Sequence, residues 1–203
     1  MKSIYNKIFS VLFLVSLLNC QGQQNEKYIG LKYGNFDIDK ATFTENIDTL
    51  FSKIPHVEIP EEINGRKMRV FRVKSTVQDK KLFKYFNLQE DKTEFYLDDK
   101  NNLVKIDGML RTDKSGADNF MKQLRNKHGS NELSSKKNKF IDDIFIGKID
   151  NKFMHITKTC VTEGTYKGEC SIIYSIYKYP QKDSDVIRFM APNSIEVENL
   201  LKK

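Results

Sequence analysis

The sequence lacks a hydrophobic run long enough to cross a membrane as a helix. Its apolar stretch Ile8–Leu18 is too short for a hydrocarbon core of roughly 30 Å, and charges recur every few residues after it. It also lacks the G-x-S-x-G elbow, the phosphate-binding loop and the H-E-x-x-H motif. A helical transmembrane anchor is therefore disfavoured, and no motif assigns an enzyme class.

Histidine is scarce as well. His56, His128 and His155 lie far apart in the sequence. His128 falls at the end of a predicted helix, where the helix dipole favours a cation, so its position has a structural explanation. The pairs Asp98-Asp99 and Asp142-Asp143 fall at predicted turns or strand ends, where aspartate often bonds to the local backbone. We therefore predict no catalytic residue, no metal site and no cofactor.

Residues 1–19 have the three parts of a secretory signal peptide. Lys2 and Lys7 give a basic start, and the apolar core Ile8–Leu18 follows. Two cleavages compete. In the first, Leu17-Leu18-Asn19-Cys20 acts as a lipobox and Cys20 becomes the lipidated first residue. In the second, ordinary signal peptidase cuts after Gly22 and releases a soluble secreted or periplasmic protein.

These residues resemble the signal of a bacterial lipoprotein, and the Lys- and Asn-rich chain with its polar tether resembles lipoproteins of Bacteroidetes. The resemblance rests on the signal peptide and on Cys20 only. It implies export and lipid anchoring in the cell envelope, with the outer membrane as the expected location, and it names no activity. Residues 20–30 are predicted to be a flexible tether, and residues 31–203 a single domain.

The exported chain is moderately basic. Residues 1–19 contain two lysines and no acid, so their removal lowers the formal charge from +7 to +5. Lysines and acidic residues are interspersed along most of the chain, which is typical of a solubilising surface, so we expect no nucleic acid partner.

Basic residues crowd one predicted strand, which contains Met68, Val70, Phe71 and Val73. The cations are Arg66, Lys67, Arg69 and Arg72, followed by Lys74. Two interpretations stay open: a sheet edge protected by charge, or an anion-binding strip.

The other two cysteines, Cys160 and Cys170, are the pair that remains after either cleavage. An even number of cysteines in an oxidising compartment indicates a disulfide. The stretch between them is centred on Gly164-Thr165, which suits a hairpin with the cysteines opposite each other. A zinc site is the alternative, but His155 is the only histidine nearby.

Hydrophobic periodicity predicts an α+β fold, with an antiparallel sheet and two to three helices packed on it. Helices are predicted over residues 41–55, with a capping box at Thr42 and Glu45, over residues 115–129, and from Asn193 to the C-terminus. A hairpin covers residues 92–112, and a three-strand meander covers residues 140–179. Its last strand is apolar on both faces and is therefore predicted to be central. A polar, disordered loop is expected at residues 130–139, and a short strand at Val186–Met190.

Two functions remain from different classes. The first is a non-enzymatic envelope lipoprotein that binds a protein, a peptide or a small ligand; its tyrosine-rich strand and the missing catalytic motifs favour this interpretation. The second is an unrecognised envelope hydrolase. The sequence leaves open whether the protein is an enzyme, and it favours a protein that is not one.

Overall fold

The computed structural model describes residues 36–63, 66–74, 82–132 and 141–178. The chain in these ranges is rich in β-structure. Its strands are β1 (Phe36–Asp37), β2 (His56–Ile63), β3 (Arg66–Val73), β4 (Phe83–Tyr85), β5 (Leu88–Leu97), β6 (Leu103–Asp113), β7 (Asp143–Ile149), β8 (Lys152–Cys160) and β9 (Glu169–Lys178). The helices are α1 (Ile47–Leu50), α2 (Lys114–His128) and the 3₁₀ turns Ile38–Lys40 and Gly129–Asn131. None of the helices in the described ranges is long and apolar enough to span a membrane.

The nine strands form one sheet, in which the order β1-β4-β5-β6-β9-β8-β7 is joined by the β2–β3 hairpin. On one side, strand β5 pairs with two strands. Strand β4 pairs with the first residues of β5, and β3 pairs with Glu94–Leu97 of β5. All these pairings are antiparallel except that of β1 with β4. The predicted antiparallel sheet, the β5–β6 hairpin and the β7–β9 meander are confirmed, and β9 is central.

The main core lies on the face of the sheet that carries α2, and buried residues of the segment 36–54 also belong to it. The apolar side chains of α2 are Ala117, Phe120, Met121 and Leu124, and all are buried. They join Ile106 of β6, Ile156 of β8 and Tyr174 of β9 in one cluster. Each large side chain removed from water contributes about 1.5–3 kcal/mol, so this layer supplies much of the stability. We call the opposite side of the sheet, which faces away from α2, the outer face.

Helix α2 (Lys114–His128) agrees to within one residue at each end with the helix predicted over residues 115–129. The Asp113 side chain accepts a hydrogen bond from the Gly116 backbone N–H at 2.7 Å, and Gly129 is the C-cap. The helix is also tied to the sheet by charge, because the buried Lys158 of β8 reaches Asp118 at 2.5 Å. The Lys158 and Lys114 ammonium groups lower the pKa of Asp118.

The helix predicted over residues 41–55 is wrong in length, since only Ile47–Leu50 form an α-helical turn. Phe43 has φ 63°, which no right-handed helix contains, so a helix cannot run through it. Thr42 and Glu45 still make the capping contacts, with the Thr42 N–H 2.6 Å from Glu45 Oε1. Asn46 caps the helix by accepting from the Thr49 N–H at 2.9 Å.

The interpretation of β3 as a sheet edge is wrong. Strand β3 pairs with β2 on one side and with β5 on the other, so β2 is the edge strand of this hairpin. Hydrophobic periodicity indicates β2 only weakly, because its sequence HVEIPEEI contains three glutamates and a proline. Pro60 fits an edge position because proline has no N–H to donate to a neighbour.

Several sequence-based predictions lie outside the described residues. These are the signal peptide, Cys20, the tether, the strand at Val186–Met190 and the helix from Asn193. Most of the polar loop at residues 130–139 also lies outside. Its first part is held in place, since Glu132 bridges to Gly147 of β7.

Candidate functional site

The β8–β9 hairpin ends in a loop that is closed by a disulfide. Cys160 and Cys170 are cross-strand partners with Cα atoms 4.0 Å apart, and their sulfurs are bonded as the sequence predicts. Inside this closure, the Val161 N–H donates to the Glu169 carbonyl at 2.8 Å, and the Gly168 N–H donates to the Val161 carbonyl at 2.9 Å. Gly164 (φ 82°) supplies a backbone conformation that other residues rarely adopt. The loop is therefore pre-organised.

This hairpin displays apolar side chains to solvent. Tyr166 at the loop tip is 64% exposed, Val161 is 43% exposed and Ile173 of β9 is 52% exposed. Only Val57 on β2 joins them among the exposed large hydrophobic side chains of the described residues. We call these three side chains on one hairpin the hairpin surface. The row of Thr159 and Ser171 separates Ile173 from the loop, so Tyr166 at the loop tip is its most exposed apolar group.

Strand register extends this surface over part of the outer face. Ile173 lies between Met109 of β6 and Thr157 of β8, and Ile144 of β7 completes the row. Met109, Thr157 and Ile144 are each partly exposed. The next row towards the loop contains the exposed Arg111 and Thr159, so polar groups border the apolar row.

The other half of the outer face is buried, and some of its side chains are polar. The Lys105 ammonium lies 4.6 Å from the centre of the Tyr96 ring and 5.3 Å from that of Tyr177. It is also 2.5 Å from Asp107 Oδ2. Burial, followed by the negative charge of Asp107, raises the pKa of the Tyr177 hydroxyl, and that of Tyr96 rises for the same two reasons. Both tyrosines therefore stay neutral at any physiological pH.

Asp107, Ser175 and His155 follow each other across β6, β9 and β8 in this half. The residue types are those of a serine hydrolase triad, but the order is different. A triad needs the histidine between the serine and the aspartate, whereas here Ser175 occupies the middle position. The row therefore does not form a triad.

A second polar group lies where the C-terminus of α2 meets the first 3₁₀ turn and β8. We call it the polar corner; it consists of Asp39, Lys127, His128 and Lys152. The buried Asp39 carboxylate pairs with Lys127 and lies 3.5 Å from His128 Nε2. Lys152 Nζ donates to the Asp39 backbone carbonyl at 3.2 Å. Burial lowers the pKa of Lys152 and of His128, while Asp39 opposes both shifts.

Two aromatic residues with positive φ flank the polar corner. Phe43 (φ 63°) follows Thr42, whose carbonyl accepts from the Asn151 side chain at 3.1 Å. Phe86 (φ 51°) lies beneath Lys127, with the ammonium 5.8 Å from its ring centre. A bulky residue in this conformation costs of order 1–3 kcal/mol, and such strain is concentrated at functional sites. Sequence reasoning missed the polar corner because its members come from three distant segments.

We expect the protein to lose stability on mild acidification. Burial lowers the pKa of both His128 and His155, with Asp39 and Asp107 respectively opposing the shift. Each folded histidine therefore binds a proton less readily than in the unfolded chain, whose pKa is about 6.5. The neutral histidines are therefore compatible with the folded state above that pKa. As the pH falls through it, the unfolded chain takes up protons more readily and the folded protein loses stability.

The thermal midpoint should accordingly be lower at about pH 5.5 than at about pH 7.5. The variant His128→Gln/His155→Gln should show a smaller difference between these two conditions. An equal difference in the variant would assign the pH dependence to other groups.

The residues proposed as an anion-binding strip are placed apart. Alternation along β3 directs Arg69 towards the α2 side and Arg72 towards the outer face. Arg69 bonds to Glu58 at 2.7 Å and to Asp48 at 2.9 Å, and these carboxylates raise its pKa. Arg72 pairs with Glu94, which also accepts from Lys92 at 3.0 Å. Lys67 is exposed. Anion binding by Arg66, Lys67, Arg69 and Arg72 stays a prediction.

The paired aspartates have local structural roles. Asp98 accepts from the Lys100 and Asn102 N–H groups in the β5–β6 turn. Asp142 accepts from the Cys160 N–H, and Asp143 pairs with Arg125 at 2.8 Å. Within the four described ranges, no three His, Cys, Asp or Glu side chains are grouped as metal ligands would be.

Comparison with known proteins adds no relative. No family model matches the chain, and neither the curated proteins nor the solved structures contain a significant match.

Proposed function

We propose that this protein is a non-enzymatic, exported lipoprotein that binds a protein or peptide through the hairpin surface. The observation that carries the proposal is the exposure of Tyr166 on a loop that is already closed by a disulfide. A tyrosine held in place loses little conformational entropy on binding and buries a large amphipathic ring. Exposed tyrosines of this kind are common at the centre of protein interfaces.

The location forms part of the same proposal. We propose that Cys20 is lipidated and anchors the chain in the cell envelope, at the outer membrane, with residues 20–30 as a tether. The oxidising compartment that this implies agrees with the Cys160–Cys170 disulfide, since such bonds persist outside the cytosol. We also retain a single α+β domain over residues 31–203, with a third helix from Asn193.

Photo-crosslinking in cells tests the binding surface. Benzoylphenylalanine at position 166 should give a discrete higher-mass adduct, while the same group at Val57, on the edge strand β2, should not. Tyr166→Ala should weaken binding of the purified partner by about tenfold or more, since a tyrosine hot spot contributes at least about 1.4 kcal/mol. Equal adducts at positions 166 and 57, or unchanged affinity, would contradict a site at the hairpin.

The anchor is tested by Cys20→Ala. We expect the variant to leave the membrane fraction or to remain unprocessed, because the acyl chains attach through this sulfur. Intact mass of the wild-type protein should show a chain that begins at a modified Cys20. A wild-type chain that begins at Gln23 would instead establish ordinary cleavage after Gly22, with no lipid.

A hydrolase is the second candidate, and the polar corner is the observation that favours it. A histidine in contact with a buried aspartate beside a lysine of lowered pKa has the composition of a general acid–base site. Two substitutions distinguish these functions. His128→Gln should abolish a hydrolytic activity and leave partner binding intact, whereas Tyr166→Ala should do the reverse.

A further inference from the structure

Lys152 lies in the polar corner without an ion pair to any carboxylate of the described residues. Its Nζ atom donates to the Asp39 backbone carbonyl at 3.2 Å, so this contact supplies no counter-charge. The Asp39 carboxylate is instead shared by Lys127 and His128. Three basic side chains therefore surround one buried carboxylate, and Lys152 is the one that the carboxylate does not contact.

These surroundings favour the neutral amine of Lys152. The residue is only partly exposed, and burial of an ammonium without a counter-ion is costly. Burial lowers its pKa, and the Lys127 ammonium acts in the same direction. The carboxylates of Asp39, Glu45 and Asp150 oppose the shift without reversing it. A larger fraction of Lys152 than of a surface lysine is therefore the neutral, nucleophilic amine at any pH below about 10.

Two buried polar atoms near the polar corner have no hydrogen-bond partner in the described ranges. They are Oε2 of Glu45 and the hydroxyl of Tyr85. Glu45 is close enough to Lys152 to raise its pKa, and burial followed by the negative charge of Asp39 raises the pKa of Tyr85. A buried polar atom without a partner costs free energy, so a ligand with hydroxyl groups would be stabilised here.

We propose that Lys152 binds small hydroxylated aldehydes or ketones as a Schiff base. The Nζ lone pair attacks the carbonyl carbon and forms the C–N bond, and the C–O bond then breaks. Both hydrogens of the amine leave with the carbonyl oxygen as water, so nothing is oxidised or reduced. His128, which contacts the Asp39 carboxylate, is the group of the polar corner that can carry these protons. Lys152 begins β8 and Cys160 ends it, so this site is separate from the hairpin surface.

Reductive trapping with glyceraldehyde and cyanoborohydride tests this site. Peptide mass spectrometry locates the labelled lysines, and at about pH 7 Lys152 should be labelled severalfold faster than the exposed Lys167. This preference should decrease as the pH rises towards about 10.4, where a surface lysine also becomes neutral. Labelling of Lys152 no faster than that of Lys167, or a preference that does not change with pH, would overturn the proposal.

A substitution at Lys127 tests the physical cause. Lys127→Gln leaves the Asp39 carboxylate available to Lys152, so labelling of Lys152 should fall severalfold. Lys122→Gln on the same helix is the matched control and should leave the labelling unchanged; both lysines are exposed, so neither change disturbs the core. Propionaldehyde, which has no hydroxyl group, should show a smaller preference for Lys152 over Lys167. Equal labelling in wild type and Lys127→Gln, or equal preference with the two aldehydes, would contradict the proposed site.

Discussion

Replacing Phe120 with alanine is expected to lower the free energy of unfolding by about 3–5 kcal/mol. Phe120 is buried on α2, and its ring meets Tyr85 edge-on at 5.1 Å and Phe86 at 5.3 Å. Tyr85 is itself held against Tyr174 of β9 at 5.1 Å. These rings are fixed from several sides and cannot collapse into the space, so the cavity cost adds to the lost burial.

Two matched variants separate the cavity from a general effect on the helix. Phe120→Leu should cost less than Phe120→Ala because it leaves a smaller void, and Lys122→Ala on the exposed side of α2 should stay within about 0.5 kcal/mol of the wild type. Urea unfolding followed by far-UV circular dichroism gives the three values. A Phe120→Ala loss no larger than that of Lys122→Ala would mean that α2 does not pack as described.

Removing the disulfide with Cys160→Ser/Cys170→Ser is expected to lower the free energy of unfolding by about 3 kcal/mol or less, with the fold retained. The sequence separation of 10 closes a short loop, so the bond mainly restricts the unfolded chain. The native hairpin keeps its register without the bond, because β8 and β9 pair from Lys152 to Cys160.

Reduction of the wild-type protein is the control for this pair of substitutions. Wild type in reductant and the double serine variant should melt at similar temperatures, both below the oxidised wild type. The two forms should also bind the partner more weakly than the oxidised protein, since the loop at Tyr166 would no longer be pre-organised. Alkylation and mass spectrometry of the native protein should find no free thiol at Cys160 or Cys170, and two free thiols would refute the bond.

Much of the fold could be predicted from local signals. Helix α2 has an apolar face at i, i+3, i+4 and i+7, an aspartate at its start and a glycine at its end, and all three signals act within a few residues. Within the β5–β6, β7–β8 and β8–β9 hairpins, strands that follow each other in the sequence also pair with each other, across connections such as the turn at Asp98.

The errors come from residues whose conformation is decided by distant contacts. Residues 41–55 have a helical pattern of apolar positions, but these side chains reach the core from an irregular segment bent at Phe43. Strand β2 has only a partial apolar alternation, at Val57 and Ile59, and as an edge it takes its structure from pairing with β3. In both places tertiary packing overrides the local preference.

The candidate site was only partly accessible to sequence reasoning. The disulfide followed from a cysteine count and the symmetry of the hairpin. The polar corner joins Asp39 to His128 and Lys152, which are separated by many residues, so no motif spacing reveals it. The basic residues of β3 looked like one patch in the sequence, but strand alternation divides Arg69 from Arg72.

The described strands form two sets, β1–β6 and β7–β9. Among the described strands, only the pairing of β6 with β9 connects the two sets. Gly108 lies opposite Tyr174 in it, so a small residue faces a large ring. A slip by one residue would exchange the two faces of β9, and a slip by two would set Tyr174 against Ile106 or Leu110. The length of the segment between α2 and β7 can therefore vary without changing any hairpin, while insertions within β6 or β9 cannot be tolerated.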